Sequence, residues 1–176
     1  LVAWPFVRNM TGTESQGLPG AQMGGHLQLQ SADGAFDSST LQTPLTLIYF
    51  GYTFCPDVCP VELSRMAQVM DGLGDRQQQV SGVFVTVDPE RDTLEAVEAY
   101  ARAFHPEFIG LTGNNEQIRQ AMRQYQVYAQ RVGDGPGYTV DHSSRIYLID
   151  QSGELVSVFA METDVDAMVR QISALL

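Results

Sequence analysis

A single α/β domain built around a mixed sheet is the fold class predicted for these 176 residues, and three observations predict it. Residues 45–50 (LTLIYF) and 80–87 (VSGVFVTV) are apolar runs with no polar face, as expected of strands in the middle of a sheet covered on both sides. Between them Leu63, Met66, Val69, Met70 and Leu73 recur at three and four, so strand, helix and strand make a parallel βαβ unit. Near the C-terminus, residues 144–150 (SRIYLID) and 155–161 (LVSVFAM) flank Gln151-Ser152-Gly153 as a hairpin.

In chain order, residues 1–23 read as an irregular lead-in or the remnant of a membrane tether, rich in Gly, Thr, Ser and Gln, and residues 24–176 as the domain. Because the chain starts at Leu1, a processed precursor or a trimmed chain is expected, with any leader or anchor missing; LVAWPF fits the end of an apolar leader or a short strand. No uninterrupted apolar run approaches the roughly 20 residues that span a bilayer. Residues 26–30 (HLQLQ) alternate and precede Asp33-Gly34, a tight turn, which predicts an N-terminal hairpin extension. After a polar link at 38–43 and the first core strand, a helix is expected to begin around 57–60, because Pro60 suits a first helical turn, and to be stopped by Gly72 and Gly74.

Thr93 can cap a helix over 94–104, although Ala96 stands where a capping box would place an acid, and Pro106 closes that helix. A short strand at 108–111 follows, then a helix capped by Asn114 or Asn115 with Ile118, Met122 and Tyr125 facing inward. Residues 125–132 alternate as a strand, 133–137 form a Gly/Pro/Asp loop, and His142 stands at the entrance of the strand SRIYLID. Thr163 or Asp164 caps a last helix carrying Val165, Met168, Val169, Ile172 and Leu175 on its apolar side. A parallel core followed by an antiparallel hairpin and a closing helix is a thioredoxin-like layout, here with a helical segment inserted between core and hairpin.

The chemistry concentrates in residues 49–60 (YFGYTFCPDVCP), which hold both cysteines. Four residues apart, Cys55 and Cys59 would share one side of a helical turn, within reach of each other or of one metal ion. Thiolates serve both as nucleophiles and as soft ligands, so dithiol redox chemistry and metal binding both remain open. Two sulfurs plus one imidazole would suit monovalent copper, whereas zinc would ask for a fourth ligand. Of the three histidines, His26 opens a polar strand, His105 ends a helix before Pro106, and His142 follows a flexible loop that could lean towards the cysteines. Asp57 could tune the thiols or simply stabilise a helix start, and Asp141 could orient the His142 ring or be a solvated turn residue. Asp88, Arg91 and Asp92 form a charge cluster past a core strand, read as a clamp that stiffens the loop, while Met66 and Met70 read as core. Tyr49, Tyr52 and Phe54 would shield the thiols or present a docking surface. With 21 acidic against 10 basic side chains and a net charge of -11, the chain excludes a nucleic-acid backbone as partner and favours a cation or a basic protein.

The motifs FGYTFCPDVCP, VTVDPERDT, FIGLTGNNEQI and YTVDHSSRIYLID, occurring in that order, together resemble the Sco/SenC family of copper-binding proteins that assemble cytochrome c oxidase. The resemblance runs from about Gly24 to the C-terminus. It implies a fold similar to thioredoxins and peroxiredoxins, and copper, as Cu(I) and Cu(II), held by the two cysteines of CPDVCP and the histidine of DHSS, here Cys55, Cys59 and His142. It further implies a membrane-anchored domain exposed to the bacterial periplasm or the mitochondrial intermembrane space, here expected in the bacterial periplasm at the inner membrane, with the copper-binding subunit of cytochrome c oxidase as partner and another periplasmic copper chaperone or a thiol-disulfide reductase as a further one. The implied function is copper delivery to the oxidase. The alternative is a thiol-disulfide oxidoreductase whose catalytic pair, Cys55 and Cys59, reduces the oxidase's copper-site cysteines. Phe54 stands where the family often carries histidine, which is expected to alter access or docking rather than to remove a ligand.

Overall fold

A computed structural model describes residues 22–176, so all but the last two residues of the expected lead-in lie outside the described residues. A hairpin of β1 (Gln28–Ser31) and β2 (Gly34–Asp37) comes first, followed by β3 (Leu45–Gly51), α1 (Val58–Leu73) and β4 (Val80–Thr86). Next come α2 (Leu94–Phe104), β5 (Ile109–Leu111), α3 (Asn115–Gln124) and a ribbon of β6 (Ala129–Val132) and β7 (Thr139–His142). The chain then forms β8 (Arg145–Asp150), β9 (Leu155–Ala160) and α4 (Val165–Ser173).

The central sheet has five strands in the order β5–β4–β3–β8–β9. β3 runs parallel to β4, and β4 to β5, whereas β8 and β9 are antiparallel to their neighbours, so the sheet is mixed and the layout thioredoxin-like. All seven residues of β3 are buried, which is why its sequence shows no polar face. Leu45, Leu47 and Tyr49 point into one core with Leu63, Met66 and Met70 of α1, Val97 of α2 and Met168 of α4. Ile48 and Phe50 point into the other, with Ile118 of α3, Tyr125 and Leu29 of the N-terminal hairpin. The alternation of β3 side chains thus seats helices on both faces of the sheet.

Local signals place most boundaries. Asp164 caps α4 by accepting from the backbone of Asp166 and Ala167, and Thr93 caps α2 by accepting from Ala96 N. Asn114 and Gln117 form a reciprocal capping box at the start of α3. Three expectations need correction. Gly72 does not stop α1 but lies within it, where its bare Cα lets Val169 of α4 approach; a Cβ there would stand 2.7 Å from a Val169 methyl, and Gly74, at φ +57, ends the helix. The strand expected over 125–132 is only β6: Tyr125 instead caps α3 with its ring in the core, and Gln126 turns the chain at φ +52. His142 ends β7, paired across from Ala129, rather than opening the strand SRIYLID, whose ladder starts at Arg145.

On β4, next to the central strand, the ring of Phe108 lies directly on Gly82 and occupies the space a Cβ would need. Gly82→Ala is therefore expected to lower unfolding stability by about 1–3 kcal/mol through overpacking, measured by urea denaturation, with the spectrum of the folded state unchanged.

Candidate metal centre

The site starts where β3 ends. Gly51 leaves no side chain between the strand and α1, and a Cβ there would meet Cys59 Sγ at 2.7 Å and the rings of Tyr49 and Phe84 at 3.0 and 3.1 Å. The Cys59 sulfur therefore rests directly on the β3 backbone, fully buried. Between strand and helix, Cys55 N donates to Tyr52 O (3.2 Å), closing a turn, and Cys59 N points at Cys55 Sγ (3.5 Å). The four-residue spacing thus puts one sulfur over the first helical turn and the other inside it.

Asp92 holds this turn in place from a distance in sequence. Its carboxylate accepts from Thr53 N (2.9 Å), Thr53 Oγ1 (2.6 Å) and Thr86 Oγ1 (2.6 Å), tying the cysteine turn to the end of β4. The expected Asp88–Arg91–Asp92 clamp is present, but it grips two neighbouring segments rather than stiffening only its own loop.

The third residue arrives on the β6–β7 ribbon. His142 Nε2 lies 3.3 Å from Cys59 Sγ, and its ring stands edge-on to Tyr52 and Tyr49. Nδ1 donates to the Ser143 carbonyl (2.9 Å), because that oxygen can only accept. This sets the neutral ring's proton on Nδ1 and leaves the Nε2 lone pair facing the sulfur. Burial lowers the His142 pKa, opposed by the Ser143 carbonyl and the Asp141 charge, and burial pushes the Cys59 thiol well up from its ordinary value. The Tyr49 hydroxyl donates to Cys59 Sγ (3.6 Å) and also contacts Ser144 Oγ (3.2 Å).

Among the described residues, Cys55, Cys59 and His142 form the one cluster of three metal-ligating side chains, with ligand atoms within 4.8 Å of one another. Two sulfurs and an imidazole suit a soft ion of low coordination number, and no carboxylate joins the cluster to complete a zinc site. Asp57 sits exposed before α1 without a side-chain capping bond, and Asp141 acts on His142 through charge alone. His26 contacts Ser38 Oγ (3.4 Å), and His105 Nδ1 accepts from Glu107 N (3.2 Å), so both lie elsewhere. Tyr52 and Phe54 flank the site, the latter 59% exposed beside a buried cysteine. Tyr49 shields the Cys59 thiol as expected, whereas the grip of Asp92 on Thr53 joins segments with no local pattern in common and leaves no sign in the sequence.

Removing the carboxylate in Asp92→Ala is expected to lower stability by about 2–4 kcal/mol, as several hydrogen bonds to a buried charge are lost. The same variant should speed reaction of Cys55 with an aromatic disulfide reagent in the native state, because the turn that buries it is released.

The sequence model of the SCO1/SenC family matches residues 15–176. An SCO2-like protein of Rickettsia conorii is 41% identical over 146 residues, covering 81% of this chain and 71% of its own length. Among solved structures, Bradyrhizobium japonicum ScoI with copper bound superimposes with a TM-score of 0.79 at 37% identity, over 88% of this chain and 99% of that one. Arabidopsis thaliana ScoI with copper bound gives 0.80 at 36% identity, over 87% and 97%. With the fold, the thiol pair at the end of β3 and this match over nearly the whole chain, the protein belongs to the SCO1/SenC family.

Proposed function

We propose that the protein binds copper through Cys55, Cys59 and His142 and delivers it to the copper-binding subunit of cytochrome c oxidase during assembly of that enzyme. The observation that carries this reading is the Nε2 lone pair of His142 held 3.3 Å from Cys59 Sγ, with Cys55 Sγ in the same cluster. Copper-bound relatives of the same fold, and the oxidase-assembly role that the four sequence motifs imply, support it. Thiolates select Cu(I), and the imidazole supplies a third donor that also accommodates Cu(II). The cysteines belong to the rigid junction of β3 and α1 and the histidine to a ribbon outside the main sheet, so an incoming ligand from the partner can displace the imidazole while both sulfurs still hold the metal.

A purely redox role for the pair explains less. It leaves the attack to Cys55, because Cys59 is fully buried, and gives the imidazole beside Cys59 Sγ only the part of a base, whereas copper uses both sulfurs and the ring together. Among the described residues no helix is long and apolar enough to cross a membrane; on the family resemblance we propose that the domain faces the bacterial periplasm at the inner membrane.

Titration of the reduced protein with Cu(I) under anaerobic conditions tests the reading. One copper per chain is expected, with binding abolished in Cys55→Ala and Cys59→Ala and weakened by about 10–100-fold in His142→Ala, together with a changed Cu(II)-thiolate absorption band. Unchanged stoichiometry, affinity and spectrum in His142→Ala would contradict it. The raised Cys59 pKa means this thiol is protonated in the apo protein at neutral pH. Copper must therefore displace that proton, so apparent affinity should rise as pH is raised through the neutral range, with proton release visible by calorimetry in buffers of different ionisation enthalpy.

A further inference from the structure

The ribbon that carries His142 is a two-stranded sheet separate from the central one, and its hold on the body of the domain is narrow. A cleft of about 300 Å³ opens between the ribbon, the segment 87–90 and α3, lined by Ile118, Met122, Ala129, Tyr138 and Val140 among others, so the ribbon is open on its α3 side while Tyr138 and Val140 are buried against the main core. The charged contacts that hold it converge on Tyr138, four residues before His142. Arg91 Nη1 donates to the Tyr138 carbonyl (2.8 Å), Arg91 Nε pairs with Asp88 Oδ2 (2.6 Å), and the Tyr138 hydroxyl donates to Asp88 Oδ1 (2.6 Å). The Arg91 guanidinium also lies 3.5 Å from the centre of the Tyr138 ring, 4.8 Å from that of Phe54 and 5.8 Å from that of Tyr52. Its Nη2 is buried with no hydrogen-bond partner, which commits this edge of the guanidinium to the aromatic surroundings. Tyr52 in turn accepts from Val140 N (3.2 Å) and stands edge-on to the His142 ring.

We propose that Arg91 is a positioning residue for His142: with Asp88 it latches the ribbon at Tyr138 onto the segment after β4, and so holds the imidazole over the two thiols. The latch touches neither sulfur in hydrogen bonding, and the cysteine turn has its own anchor in Asp92, bonded to Thr53 and Thr86. Loss of Arg91 therefore frees the third donor while leaving the thiol pair in place. Lysine would keep a charge for Asp88 but not the planar face that stacks on Tyr138, nor the separate Nε and Nη1 donors that reach Asp88 and the Tyr138 carbonyl together.

This inference rests on the copper reading only for its metal readout, and the experiment separates the two. In the reduced, metal-free full chain, nuclear Overhauser contacts from the His142 ring to Tyr52 and Tyr49 are compared among the natural protein, Arg91→Gln and Arg91→Lys. Cu(I) affinity is then measured by competition with a chromophoric chelator for the natural protein, Arg91→Gln, His142→Ala and the double variant. The expected result is loss of the ring contacts in Arg91→Gln with partial recovery in Arg91→Lys, and an affinity loss of about 10–100-fold that matches His142→Ala and does not grow in the double variant. Retained ring contacts in Arg91→Gln, or an affinity loss that adds in full to that of His142→Ala, would overturn the proposal. Should Arg91→Gln fail to fold, Tyr138→Phe removes only the hydroxyl on Asp88 and must shift the ring contacts and the affinity in the same direction by less; no shift in either overturns it. If His142→Ala binds Cu(I) like the natural protein, the three-donor reading fails, and the ring contacts still decide whether Arg91 positions the histidine.

Discussion

The contact between Cys59 Sγ and His142 Nε2 is the constraint on which the rest of the site depends. It joins the more deeply buried of the two thiols to a side chain on a ribbon outside the central sheet, 83 residues further along the chain. On one side the position is set by the sheet: β3 is buried along its whole length, and Gly51 lets the sulfur rest on its backbone. On the other it is set by a ribbon whose own ladder links Ala129 to His142 and whose Ser143 carbonyl fixes the imidazole tautomer. Two thiols at the end of the sheet and an imidazole on a separate ribbon suit the copper delivery proposed above, in which a cargo is held and then released.

The segment after β4 couples the halves. Within five residues, Asp88 and Arg91 reach the ribbon at Tyr138 while Asp92 reaches the cysteine turn. Its charges are largely buried, so each carboxylate requires its full complement of donors, and those donors come from different parts of the chain. Phe54 covers the Arg91 guanidinium from the solvent side, so a position next to Cys55 contributes to the latch through stacking. That gives the aromatic residue at this position a structural task besides shaping access to the thiols.

Much of this was legible in the sequence, and the exceptions share a cause. The core strands stand out because burial on two faces leaves no polar position, and α1 because its apolar residues return every three or four. The thiol pair is a local pattern, and the Gly-rich loop before His142 marks it as the histidine able to lean over the pair, but its place as their third partner comes from the family resemblance, since loop closure across the sheet has no periodicity. Asp88, Arg91 and Asp92 were recognisable as a charged clamp, but their partners Thr53, Thr86 and Tyr138 belong to other segments and leave no mark on the motif itself. The misplaced strand at 125–132 arose because Tyr125 and Val127 alternate with polar neighbours, although both are buried in the second core on a chain that turns at Gln126.

The central claim is that two sulfurs and one imidazole share a single ion. X-ray absorption at the copper edge on the reduced protein loaded with one equivalent of Cu(I) tests it most directly. The account predicts a three-coordinate ion with two sulfur neighbours and one nitrogen, together with the outer-shell scattering of an imidazole ring that vanishes in His142→Ala. A two-coordinate, sulfur-only ion with no imidazole scattering in the natural protein would contradict it.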